Sequence, residues 1–119
     1  MSLHVAALPF DGAHALRVAE CWAAAVGRPV DREGEMAASE FFARIPGEGG
    51  DPLMMFIKVP ETKTVKNRVH LDMQAADRAA EVERLVGLGA TVLHDKNEYG
   101  MQWTTLADPE GNEFCVASH

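Results

Sequence analysis

Residues 65–73 read VKNRVHLDM, and apolar and polar residues alternate through the second half of this stretch. Val69, Leu71 and Met73 are apolar, whereas His70 and Asp72 lie between them. Because successive side chains of a strand point to opposite faces of a sheet, the pattern predicts a strand whose apolar trio packs under a helix. His70 and Asp72 then share the other face. If that face lines a cavity, His70 is a candidate metal ligand or proton carrier; on an open face it is an ordinary solvated residue.

The residues that follow predict a helix and three more strands. Asp77 is a suitable N-cap, and a helix to about residue 88 carries Val82 and Leu85 on one stripe before Gly89 ends it. The sequence DPEG at 108–111 is typical of a type I turn. Three extended stretches are predicted at residues 90–95, 100–107 and 112–118, and this turn lies between the second and the third.

The first half of the chain repeats the same order of elements without matching the second half residue by residue. A strand at 3–10 precedes a helix at about 13–26, which ends at Gly27. Extended stretches then follow near residues 30–34, 38–45 and 52–59. The predicted fold class is therefore α+β, with two βαβββ modules at residues 1–60 and 64–119 of a single domain. We expect curved mixed sheets with the helices on their outer faces and a concave inner face.

Composition excludes several classes of function. The 119 residues carry a net charge of −7 and no basic cluster, which argues against nucleic acid as a partner. No apolar run approaches the ~20 residues of a membrane helix, and no signal peptide is evident, so we expect a cytoplasmic location and no membrane partner. Cys21 and Cys115 form no CxxC pair and are expected to be reduced.

Strand alternation predicts which side chains face the cavity. Phe114 and Val116 suit the helix side of the last strand, so Glu113 and Cys115 should face inward. His4 lies on the opposite face of the first strand from Val5. Two histidines and a carboxylate, here His4, His70 and Glu113, form the type of site that non-haem Fe, Mn or catalytic Zn uses. The simpler alternatives are that Glu113 bonds nearby backbone and that Cys115 packs in the core.

Three stretches resemble the vicinal oxygen chelate superfamily, in particular its short glyoxalase-like branch. They are LHVAALPFD at 3–11, the block from VPETKTVKNRVHLDM to LGATVL at 59–93, and WTTLADPEGNEFCV at 103–116. This superfamily includes glyoxalases, bleomycin-resistance proteins, fosfomycin-resistance enzymes and extradiol dioxygenases. The resemblance covers nearly the whole chain and implies the paired βαβββ fold, a homodimer and, in many members, a divalent metal such as Zn, Ni, Mn or Fe.

The resemblance also implies a ligand set, from which this sequence departs. His4 and His70 match the histidines of the first and second modules. Ile57 occupies the fourth-strand ligand position and has no donor atom. The last-strand carboxylate position holds Cys115, with Glu113 two residues earlier, about 7 Å along the strand. Either Glu113 or Cys115 is open as the last-strand ligand.

Three functions are compatible with these residues. The first is a metal-assisted isomerase or lyase of the glyoxalase type that acts on a small oxygenated substrate, with His4, His70 and Glu113 as metal ligands and Glu113 as the proton carrier. The second is a metal-free binding protein of the antibiotic-sequestering kind, with Asp72, Trp103, Ile57 and Cys115 lining the binding site. The third is a protein-interaction role, which a cavity filled by its own side chains would favour.

Overall fold

The computed structural model describes residues 2–34 and 37–118, so the predicted module ends at residues 1 and 119 lie outside the described part. Its contacts divide the chain into two compact units, with the boundary between Thr62 and Lys63. Both units combine helices with strands, which confirms the α+β fold class. No described helix is both long enough and apolar enough to cross a membrane.

The first unit contains β1 (Ala7–Gly12), α1 (Ala15–Val26), β2 (Phe42–Ile45) and β3 (Leu53–Lys58). Its sheet has the order β1-β3-β2, with β1 parallel and β2 antiparallel to β3. Helix α1 ends at Gly27, which has a φ of +70° and whose N–H donates to the carbonyl of Ala23. Gly27 thus supplies the left-handed conformation that the sequence predicts for this helix end.

The core of the first unit lies between α1 and the sheet. Trp22 of α1 is buried, and its ring centroid lies 5.0 Å from that of Phe10 on β1. Phe10 in turn stacks on Phe56 of β3 at 5.2 Å. Ile45 and Phe56 are fully buried, so α1, β1, β2 and β3 share one apolar layer.

The first unit departs from the prediction at three places. Strand β2 covers only the last four residues of the extended stretch predicted at 38–45. Strand β1 begins at Ala7, so His4, expected within a strand at 3–10, lies before it and is exposed. Residues 30–34, all of them described, form no strand. A single backbone bond of 2.9 Å joins the Asp31 N–H to the carbonyl of Arg44 on β2. The Arg44 side chain reaches back to the Asp31 carboxylate at 2.8 Å, so side chains hold this segment against the sheet edge.

The second unit contains β4 (Leu71–Gln74), α2 (Arg78–Gly87), β5 (Thr91–Glu98), β6 (Met101–Ala107) and β7 (Glu113–Ser118). Its four strands have the order β4-β7-β6-β5, with β4 parallel to β7 and the other pairs antiparallel. Helix α2 contacts β5, β6 and β7 on one face of this mixed sheet. Leu85, Leu106, Phe114 and Val116 are buried and form the apolar core of this unit.

The turn between β6 and β7 fixes the register of the last strand. The N–H of Gly111 donates to the carbonyl of Asp108 at 2.9 Å, as a turn over residues 108–111 requires. The buried carboxylate of Asp108 also accepts the N–H groups of Glu110 and Asn112, at 2.8 and 3.0 Å. This network positions Glu113, the first residue of β7.

A β-bulge interrupts the pairing of β5 with β6. Val92 aligns with Leu106 and His94 with Thr105, which leaves Leu93 as the extra residue. Beyond the bulge, Asp95 aligns with the buried Thr104 on the helix side. Arg78 of α2 donates to the Thr104 hydroxyl there and lies 3.4 Å from the Asp95 carboxylate. The bulge therefore determines which β5 side chains face the helix and which face away.

Candidate functional site

The face of the second sheet opposite α2 carries a pocket of about 520 Å³. Strand pairing brings its lining residues into rows across the sheet. Asp72 aligns with Cys115, Cys115 with Thr105, and Thr105 with His94. The next row contains Ala117 and Trp103, with Gln74 aligned to Ala117. Lys66, His70, Met73, Met101 and Glu113 complete the pocket wall.

His70, Asp72 and Cys115 form a compact cluster in this pocket. His70 Nε2 lies 3.5 Å from Asp72 Oδ1, and one donor atom from each of the three residues falls within 4.8 Å of the other two. His70 and Asp72 are exposed, whereas Cys115 is buried at the pocket floor. The Cys115 Sγ atom lies 3.3 Å from the hydroxyl of Thr105.

Glu113 is held by positive groups on one side of the pocket. Its carboxylate lies 3.7 Å from Lys63 Nζ and 3.5 Å from Lys66 Nζ, and it accepts the N–H of Asn67 at 3.4 Å. Burial acts to raise the pKa of Glu113, but the Asn67 N–H and the two lysines outweigh it, so the pKa lies below its ordinary value. Glu113 is therefore an ion-paired carboxylate. A general base needs a free carboxylate whose pKa lies nearer the operating pH.

The model of the glyoxalase-like domain family matches residues 7–117, which is nearly the whole chain. The chain belongs to the glyoxalase-like domain family. The resemblance to the vicinal oxygen chelate superfamily, predicted from the sequence, is thereby confirmed. The comparison with curated proteins gives no match.

Solved structures with the same fold include both enzymes and binding proteins. A glyoxalase/bleomycin resistance protein/dioxygenase family enzyme from Burkholderia phytofirmans has a TM-score of 0.71 and 17% identity, over 95% of this chain and 96% of that chain. The fosfomycin resistance protein FosX from Mesorhizobium loti has a TM-score of 0.72 and 12% identity, over 100% and 94%. An antibiotic-binding protein from Streptomyces has a TM-score of 0.70 and 18% identity, over 99% and 98%. At these identities the likeness shows a shared fold.

The structure of this glyoxalase-like chain brings together five of the residues that the sequence analysis selected. His70, Asp72, Trp103, Glu113 and Cys115 all line the same pocket of the second unit. His4 and Ile57 belong to the first unit, His4 as an exposed residue before β1 and Ile57 as a half-buried residue of β3. The role of His4 as a metal ligand and that of Ile57 in the binding site stay predictions. Val69 is 80% exposed, so it does not pack under the helix as expected.

The donor atoms present in the pocket fit a divalent metal of the kind that glyoxalase-like proteins use. An imidazole, a carboxylate and a thiol are all ligands of Zn²⁺. In a tetrahedral site two light donor atoms are about 3.4 Å apart, since each lies about 2.1 Å from the ion. The 3.5 Å between His70 and Asp72 is close to that separation. Within residues 2–34 and 37–118, Glu113 is not part of any group of three or more potential metal ligands.

Several pocket residues were not selected from the sequence of this glyoxalase-like chain. Gln74 and Thr105 follow from strand alternation once the partners of Asp72 and Cys115 are known. His94 does not, because the bulge at Leu93 reverses the alternation of β5. Lys63 and Lys66 precede β4 outside any regular element, so no periodic signal marks their approach to Glu113.

Proposed function

We propose that this protein binds an amphipathic small molecule in the pocket of its second unit. The observation that carries the proposal is the composition of the pocket wall. Trp103 and Met101 provide apolar surface, while His70, Asp72 and Gln74 provide polar groups around it. A volume of about 520 Å³ lies within the range of about 300–1,000 Å³ that is typical of small-molecule sites.

A protein of the same fold supports binding as the function. One of the solved structures with this fold is an antibiotic-binding protein from Streptomyces. The pairing of Glu113 with Lys63 and Lys66 favours binding over a reaction in which Glu113 carries a proton. The net charge of −7 favours a ligand with a positive charge, because opposite charges raise the local concentration of the ligand.

The second candidate is a metal-assisted isomerase or lyase that acts on an oxygenated substrate. The cluster of His70, Asp72 and Cys115 favours it, because these residues would hold a divalent ion at the pocket floor. A bound ion would stabilise a developing oxyanion as a Lewis acid. His70 and His94 both line the pocket and are the residues that could move a proton to or from a substrate there.

The test of binding is a thermal-shift screen with cationic, amphipathic antibiotics in buffer that contains a chelator. We expect a ligand that raises the melting temperature and quenches the fluorescence of Trp103. A Trp103→Ala change should weaken its affinity by at least about tenfold, because it removes the main aromatic surface of the wall.

Tyr99→Ala is the matched control for this experiment. Tyr99 is 93% exposed at the turn between β5 and β6 and does not line the pocket, so its removal should leave the affinity unchanged. Equal losses in the two variants, or the absence of any ligand across the screen, would contradict the proposal.

A further inference from the structure

We propose that His70, Asp72 and Cys115 form a zinc-class metal site inside the second unit, with the Cys115 thiolate as one ligand. This set keeps His70 and the last-strand position that the family resemblance implies, but it assigns that position to Cys115 rather than Glu113 and has Asp72 in place of His4. It deepens the second candidate function, which rests on the same cluster, and does not depend on the binding of an organic molecule.

The strand register accounts for the convergence of the three side chains. Asp72 and Cys115 are directly aligned on the parallel strands β4 and β7, so their side chains lie on the same face. His70 precedes Asp72 by two residues, and its Nε2 atom lies 3.5 Å from Asp72 Oδ1. The three donor atoms lie within 4.8 Å of one another. Side-chain rotations that move these atoms by about 1 Å would bring them to the separations of a tetrahedral site.

The chemistry of the donors selects the class of metal. A thiolate and an imidazole favour Zn²⁺ over Mg²⁺, Ca²⁺ and Mn²⁺, which prefer oxygen ligands. Three protein ligands leave a fourth position open to water or substrate, as in catalytic rather than structural zinc sites. Binding replaces the proton of the Cys115 thiol with the metal and releases that proton to solvent.

The surroundings of the cluster agree with a metal site. The Thr105 hydroxyl lies 3.3 Å from Cys115 Sγ, where it can donate to the thiolate and hold its orientation. The exposure of His70 and Asp72 gives an ion a path from solvent. The alternative carboxylate, Glu113, is bound to Lys63 and Lys66, and a metal would have to displace both ammonium groups to reach it.

Cobalt spectroscopy tests the thiolate ligand directly. The protein is reduced, freed of metal and studied in a Cys21→Ser background, so that Cys115 is the remaining thiol. One equivalent of Co²⁺ should produce the near-ultraviolet charge-transfer band of a thiolate–cobalt bond. Cys115→Ala should abolish this band. The proposal is overturned if the folded Cys21→Ser protein gives no band, or if the band survives in the Cys115→Ala variant.

A pair of histidine variants keeps the test valid if Cys115→Ala fails to fold. His70 is exposed, and His94 is a second exposed histidine of the same pocket outside the cluster. His70→Gln should weaken Zn²⁺ binding by more than about tenfold, measured by the thermal shift at increasing Zn²⁺ concentration, whereas His94→Gln should change it little. Equal losses in both variants would overturn the proposal. The antibiotic screen is run with chelator, so its outcome is independent of this one.

Discussion

Individual side chains fix the position of segments that have no regular secondary structure. Asp31 is the clearest case, because it binds the edge of the first sheet through both backbone and side chain. Its N–H donates to the Arg44 carbonyl, its Oδ2 atom accepts from the Arg44 guanidinium, and its Oδ1 atom accepts the Glu33 N–H. The N–H of Glu33 has the largest effect on the pKa of Asp31, and the Arg44 guanidinium has the next largest. Both hold that pKa below its ordinary value.

This lowered pKa predicts how stability depends on pH. Because the folded-state pKa of Asp31 lies below the unfolded value of about 3.9, the ionised carboxylate stabilises the fold above about pH 4. This contribution disappears as the pH falls through the folded-state pKa. Asp31→Asn should therefore lower the melting temperature by at most a few degrees at pH 7, and the difference should shrink as the pH falls below about 4. Thermal melts of both proteins across this range check it, and a constant difference would contradict it.

At the scale of elements, the second unit was easier to predict than the first. The cap of α2 at Asp77, the turn at Asp108 and the inward side of β7 all follow from local patterns that the structure reproduces. Strand β1 and the segment at residues 30–34 differ from the prediction. An extended apolar stretch indicates a strand, but pairing with a neighbour determines where that strand begins, and the neighbour is distant in sequence.

Helix α2 offers a direct test of one such local signal. The Asp77 carboxylate accepts the N–H of Ala80 at 3.1 Å and satisfies a backbone donor at the helix start. Asp77→Ala should reduce the free energy of unfolding by about 1 kcal/mol, measured by urea denaturation. Glu83→Ala, at an exposed position within the same helix, should change it by less than about 0.5 kcal/mol. Similar losses in both variants would contradict a capping role for Asp77.

At the scale of the whole molecule, the order of the elements predicted the fold and the resemblance of three stretches predicted the family, but the site depends on contacts that no sequence pattern encodes. Asp72, Glu113 and Cys115 line one pocket, as strand alternation predicts. His70 joins them from outside a strand, because β4 begins at Leu71 and not near residue 65 as expected. The pairing of Glu113 with two lysines does not follow from spacing, because Lys63 and Lys66 approach it through an irregular segment. Glu113 lines the pocket as expected, and its predicted catalytic and metal-ligand roles stay predictions.

Self-association also belongs to this scale and stays a prediction. The family resemblance implies a homodimer, and several apolar side chains are well exposed, among them Leu3, Val5, Val65 and Val69. Burial of such side chains between two copies would favour association. Light scattering at micromolar concentration should give a mass about twice the 12.9 kDa of one chain. A monomeric mass under these conditions would contradict the prediction.

The extra residue in β5 determines the charge of the cavity wall. If β5 kept Leu93 but paired with β6 without a bulge, Leu93 would align with Thr105, and the following side chains would turn to the opposite surface, with Asp95 inward and His94 toward α2. An imidazole in the wall would be exchanged for a carboxylate, at the expense of the contact between Arg78 and Asp95. Ligand preference in this fold can therefore diverge through a change of strand register, while the amino acids of the core stay the same.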